Sequence, residues 1–185
     1  MSSTVYLSYY DAINEEKTKR LMEACAQLLH NDRPEELYIL FSSPGGSIDA
    51  GITLYNFLRA LPVRLVMHNI GSINSIANVV FLAADRRLAV PHSSFLFHGF
   101  TWTFAQPTTV PHVQLQEIVS RFQGDESKMI GIITERTRLT EAEMRAFILR
   151  GESKNPTFAL EKGVIHEIAA ANVPPDAPFI AANLP

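Results

Sequence analysis

The sequence predicts an α/β fold built on a mostly parallel sheet. Three observations carry that expectation. Short runs rich in β-branched and aromatic residues alternate with helix-spaced amphipathic segments through the first half of the chain. The runs at 37–41 and 63–67 are apolar without alternation, as buried strands are. A glycine turn, Gly45-Gly46, stands where one such strand hands over to a helix.

The elements follow in order. Residues 5–9 read as a strand. Residues 14–30 read as an amphipathic helix with Leu21, Ala24, Cys25, Leu28 and Leu29 on its apolar side. Asn31-Asp32-Arg33-Pro34 breaks it. Residues 37–41 form a buried strand, and Ile48, Ile52, Tyr55 and Leu58 then keep helical spacing until Pro62. Residues 63–67 form the next buried strand. Residues 75–84 are apolar nearly all round, which predicts a central helix. Short strands at 88–90 and 94–97 flank Pro91. The order β-α-β-α-β-α-β is that of parallel strands joined by crossover helices.

The character changes after His98. Residues 99–111, with Phe100, Trp102 and Phe104, read as a loop or hairpin. A long helix is predicted at 113–137, with Leu115, Ile118, Val119, Phe122, Met129, Ile130 and Ile133 along one stripe. So long a helix is hard to bury in a small domain and points to packing against another subunit. Thr140-Glu141-Ala142-Glu143 has the pattern of a capping box. Asn155-Pro156-Thr157 opens a short helix through Leu160, and 164–168 is expected as a last strand. The tail at 172–185 carries four prolines and is expected to run extended along a surface. One domain is expected over 1–185.

Composition narrows the function. The chain has 185 residues, 46% of them hydrophobic, enough for one full core. A net charge of −3 with no basic block argues against nucleic acid. No segment is apolar for long enough to span a bilayer, and the first residues lack a basic region followed by an apolar run. The single cysteine, Cys25, sits in a helical apolar pattern and reads as a small core residue in a reducing, cytoplasmic setting. No metal or cofactor is expected.

Three pieces carry chemistry: Ser43-Pro44-Gly45-Gly46-Ser47, Ser75 and His98. A glycine pair opening a helix exposes backbone N–H groups to a developing negative charge. By itself a Pro-Gly-Gly triplet is more often a plain turn. A serine at a helix start is most often an N-cap, and Ser72 and Asn74 compete for that place. A strand-end histidine is usually structural, and His30, His68, His92, His112 and His166 are rivals. What the three share is position at the carboxyl ends of consecutive strands, the edge where open α/β sheets bind ligands. Together they offer oxyanion donors, a nucleophile and a base.

Residues 38–100 resemble the proteolytic subunit of the Clp proteases. The matching pieces are Ser43-Pro44-Gly45-Gly46-Ser47, Ala50-Gly51, Ile52-Thr53-Leu54-Tyr55, Gly71 with Ser75-Ile76-Ala77, Phe81-Leu82-Ala83-Ala84, Arg87, Pro91 with Ser93, and Phe97-His98. A weaker likeness continues through the long helix to Gly163-Val164-Ile165. The resemblance implies a crotonase-like fold: a repeated β-β-α superhelix with a protruding strand-helix handle at about 99–137. It implies a serine peptidase in stacked homo-oligomeric rings, with Ser75 as nucleophile, His98 as general base, and the amides of Gly46 and Ile76 as the oxyanion hole. Gly99, Phe100 and Thr101 would pair with an extended peptide or unfolded-protein substrate.

The chain departs from that pattern twice. The family's triad acid falls in a stretch that here reads Arg150-Gly151-Glu152-Ser153-Lys154-Asn155, without aspartate. Gapless pairing puts Gly151 at that position. Glu152 is the first candidate to orient His98, then Asn155, and more remotely His166. The chain also enters its first strand within a few residues, which argues against partnership with an unfoldase ATPase. Three alternatives remain open at this stage. One is an acyl-CoA hydratase or isomerase of the same fold. Another is a Ser-Lys peptidase using Lys128. The third is a catalytically inactive ring subunit.

Overall fold

The computed structural model describes residues 4–101 and 109–181. The chain runs β1 (Thr4–Tyr10), α1 (Glu15–Asn31), β2 (Glu36–Ser43), α2 (Ile48–Ala60), β3 (Arg64–Asn74), α3 (Ala77–Phe81), β4 (Arg86–Ala89) and β5 (Ser94–Phe97). It continues with α4 (His112–Arg136), α5 (Glu141–Arg150), β6 (Glu152–Lys154), α6 (Pro156–Glu161), β7 (Glu167–Ile168) and β8 (Phe179–Ala181). The mixed α/β fold with a parallel-rich sheet is the expected class.

The sheet has the order β6-β5-β3-β2-β1-β8, with β4 pairing both β3 and β7. Among the described residues only the β5–β6 pair is antiparallel. β3 is longer than the 63–67 run suggests because it serves two neighbours in turn. Residues 66–69 pair with β4, and residues 72–74 pair with β5. The register of β2 shifts between Phe41 and Ser43 at the same level. There the Ser42 hydroxyl donates to the Ser72 carbonyl at 3.0 Å and accepts from the Ser72 amide at 3.1 Å. The Gly71-Ser72 step lies beyond the expected 63–67 strand, and it is this bend that carries β3 on to Ser75.

Three other expectations are corrected. The central helix is only Ala77–Phe81, and Ser75 lies outside it. The strand expected at 164–168 is reduced to β7, because Val164 is turned away from the sheet. Its amide bonds Ala159 at 2.8 Å, and its carbonyl accepts from buried Arg87, also at 2.8 Å. The tail does more than lie on a surface: β8 adds a parallel strand beside β1. The loop or hairpin expected at 99–111 falls largely on 102–108, with Trp102 and Phe104, outside the described residues.

The core lies between the sheet and the helices, around Leu7, Leu21, Ile39, Phe41, Leu54, Met67, Phe81 and Phe95. Each such side chain contributes about 1.5–3 kcal/mol of burial. Cys25 is fully buried, and burial pushes its thiol up to about 12, as suits an inert core residue. α4 is divided. Met129, Ile130 and Ile133 are buried, while Val113, Leu115 and Val119 are exposed. No helix among the described residues is long and apolar enough to cross a membrane.

Candidate active site

Ser75 occupies the step between β3 and α3 with φ +54°, a left-handed conformation unusual for a residue with a Cβ. None of the expected caps is used: Ile76 holds the N-cap position without a side-chain hydrogen bond. The surroundings fix the strained step. The Ser75 amide donates to the Leu96 carbonyl at 2.9 Å. Buried Asn78 donates through Nδ2 to the carbonyls of both Ser75 and Leu96 at 3.0 Å. The serine turn is thereby tied to β5, the strand that leads into His98. Asn78 escaped the sequence reading because one amide in an apolar helical run gives no hint of where it reaches.

The glycine turn packs against the same step. Gly45 has φ +88°, and a Cβ there would lie 2.6 Å from the Asn74 carbonyl oxygen and 3.0 Å from Ser75 Cβ. Gly46 has φ +148°, and a Cβ there would lie 2.1 Å from the Ile13 carbonyl oxygen. Only glycine fits either place. Ser47 caps α2 through its hydroxyl, as the turn-to-helix reading requires. The amides of Gly46 and Ile76 donate to no protein acceptor among the described residues.

Ser75, His98 and Gly46 meet at a cleft of about 250 Å³. Gly99, Phe100 and Thr101 continue its wall, and Pro44, Ile48 and Phe122 complete it. Ile76 is fully buried directly behind. Phe122 comes from α4 and faces Phe100, with ring centroids 5.9 Å apart. In the one-dimensional reading Phe122 is only one apolar position on a helix stripe. A larger groove of about 510 Å³ between α1 and α2, lined by Met22, Ala26 and Phe57 among others, holds neither serine nor histidine. Volume therefore does not mark the chemistry. Among the described residues no cluster of His, Cys, Asp or Glu could hold a metal ion.

His98 Nδ1 lies 2.7 Å from the carbonyl oxygen of Gly99, and no hydrogen bond joins His98 to Ser75 in this resting arrangement. Glu152, expected to orient His98, makes no hydrogen bond to it among the described residues. Glu152 lies beside the site, paired in register with Phe97, but its carboxylate is held by Lys154 and, at 3.1 Å, by Arg150. The Lys154 hydrogen bond holds its carboxyl below the ordinary range. Two cations within two residues leave that carboxylate no reason to turn to the imidazole. Asn155 is spent as the cap of α6, accepting from the Phe158 amide at 2.9 Å. His166 accepts from the Arg87 amide at 3.0 Å and is absent from the cleft wall. Burial first, then the nearby arginines, hold its ring below the usual histidine range. Lys128 pairs with Asp125 at 3.1 Å and does not line the cleft. Gly151 has φ +65°, and a Cβ there would come 3.9 Å from His98 Cβ.

The Clp protease family model matches residues 1–172. The ATP-dependent Clp protease proteolytic subunit of Chlorella vulgaris is 26% identical over 162 residues, covering 85% of this chain and 77% of the relative. Proteolytic subunit 2 of Pseudomonas aeruginosa is 23% identical over 158 residues, covering 84% and 76%. Proteolytic subunit 1 of Mycobacterium bovis is 31% identical over a shorter 91 residues, covering 46% and 44%. With nearly the whole length matched, and with the serine step, glycine turn and strand-end histidine meeting at one cleft, the chain belongs to the Clp protease family.

Proposed function

We propose that the protein is a serine endopeptidase whose nucleophile is Ser75 and whose general base is His98. Neutral His98 takes the hydroxyl proton as Ser75 Oγ attacks the peptide carbonyl. The bare amides of Gly46 and Ile76 stabilise the oxyanion that forms. The acyl-enzyme is then released by water, activated by the same histidine. The stretch Gly99-Phe100-Thr101 receives the substrate backbone as an added strand. The observation that carries this reading is the strained Ser75 step facing a cleft that also holds His98 and the unbonded Gly46 amide.

Family membership implies a ring of like subunits acting on proteins. The exposed apolar residues Val113, Leu115 and Val119 on α4 support that assembly, since an unpartnered apolar helix face is costly in water. We place the enzyme in the cytoplasm. The acyl-CoA hydratase reading loses support because the cleft wall holds no carboxylate among the described residues. The inactive-subunit reading rests on Glu152 being engaged elsewhere, and kinetics decides it. Hydrolysis of a fluorogenic peptide by the purified protein should fall at least about 10³-fold in Ser75→Ala and in His98→Ala. Turnover unchanged in Ser75→Ala would refute the assignment, and no turnover in the unaltered protein would favour the inactive subunit.

A further inference from the structure

We propose that His98 is oriented by the backbone carbonyl of Gly99, so that the enzyme works as a serine–histidine dyad without a carboxylate. The inference rests on the assignment of Ser75 and His98 above. It begins from the 2.7 Å contact between His98 Nδ1 and the Gly99 carbonyl oxygen. A carbonyl oxygen only accepts, so Nδ1 must carry the proton and Nε2 keeps its lone pair. That is the tautomer a general base needs toward a serine hydroxyl. A triad aspartate does two things: it selects this tautomer, and it stabilises the imidazolium with a full negative charge. The Gly99 carbonyl does the first, and supplies only a dipole for the second.

The carboxylate nearest by register does not fill the gap. Glu152 stands opposite Phe97, one residue before His98, and is taken by Lys154 and Arg150. Gly151, whose Cβ would approach His98, has no side chain to offer. The chemistry balances without an acid. As the Oγ–C bond forms, the serine proton passes to Nε2 and the carbonyl π pair moves to oxygen. The imidazolium then carries one proton on Nδ1, donated to the Gly99 carbonyl, and the other on Nε2. Collapse breaks the C–N bond, and the Nε2 proton leaves with the amine. Water repeats the sequence in deacylation.

The test uses the full-length protein with ¹⁵N-labelled histidine, the His98 resonances being assigned with His98→Gln. Nitrogen shifts above the titration should report the Nδ1–H tautomer. An Nε2–H tautomer, or an averaged mixture, would overturn the proposal. This readout does not depend on turnover, so it stands apart from the Ser75 assignment, which fluorophosphonate labelling tests separately. Glu152→Gln should leave kcat/KM within about two-fold and the acid limb in place. A loss of about ten-fold or more, with the limb moved to lower pH, would make Glu152 the orienting acid after all. Gly151→Asp supplies the missing charge beside His98. It should move the acid limb to higher pH and raise the plateau rate. A limb that stays put, with folding intact, would mean that His98 already has an anionic partner, and would count against the dyad.

Discussion

Ser75 holds a backbone conformation that costs a non-glycine residue about 1–3 kcal/mol, and the neighbouring contacts bear that strain. Function and stability therefore oppose each other at this position. Ser75→Gly should relieve the strain and raise stability over Ser75→Ala by about 1 kcal/mol, a few degrees in Tm, while both variants lose turnover. Calorimetry beside the peptide assay checks this, and equal melting temperatures would remove the strain argument. Gly46 is the converse case. A methyl group 2.1 Å from the Ile13 carbonyl oxygen cannot be accommodated without moving backbone. Gly46→Ala should lower Tm by several degrees and abolish activity, because the shift carries with it the amide proposed to bind the oxyanion. That Gly46, Ser75 and His98 meet at one cleft was legible in the sequence, since their order along consecutive strands brings them to one edge of the sheet. The partners of Glu152 were not legible. A carboxylate's partner is settled by which cation reaches it in space, and here Lys154 and Arg150 are both within reach.

At the scale of elements, the site depends on how α3, β5 and α4 are held. Asn78 is the pin between the Ser75 turn and β5. Asn78→Ala would take the side-chain donor from two carbonyls that keep backbone donors, the Asn78 amide at 3.1 Å and the Ser75 amide at 2.9 Å, and should slow acylation by loosening Ser75 against His98, at a cost of about 0.5–1.5 kcal/mol per lost bond. An unchanged acylation rate would show that the turn keeps its shape without the pin. α4 is anchored by Arg121, which reaches Asp49 at the start of α2, and by Met129, Ile130 and Ile133 in the core. Its exposed first half is the surface proposed for assembly. Val119→Asp should reduce the assembled mass seen by light scattering and leave the far-ultraviolet helical signal intact. α5 shows where sequence is sufficient. The Thr140–Glu143 capping box is realised in full, because its partners are three residues apart. β6 and β8 were not foreseen, because strands of three residues acquire their identity only from the strand they pair with.

For the whole molecule, one fully buried histidine couples the sheet to the surrounding pH. His68 Nε2 donates to the Ala169 carbonyl at 3.0 Å, and Nδ1 accepts from the Tyr38 hydroxyl at 2.7 Å. Burial holds its ring below the usual histidine value of 6.5, so the folded protein resists protonating it. The unfolded chain takes up a proton below about pH 6.5 more readily than the folded chain, so stability present at neutral pH is lost as pH falls through that value. Tm should decline between pH 7.5 and 5.5, and less steeply in His68→Gln; equal slopes would place the pH sensitivity elsewhere. The sheet that His68 knits together also brings the glycine turn, the serine step and the strand-end histidine to one cleft. The most direct measurement of that convergence is fluorophosphonate labelling of the purified protein, read by mass spectrometry beside Ser75→Ala and His98→Ala. A single adduct on Ser75, lost in the first variant and strongly slowed in the second, is the predicted result. No adduct at any pH from mildly acidic to alkaline, or an adduct on another serine, would contradict an activated nucleophile at Ser75.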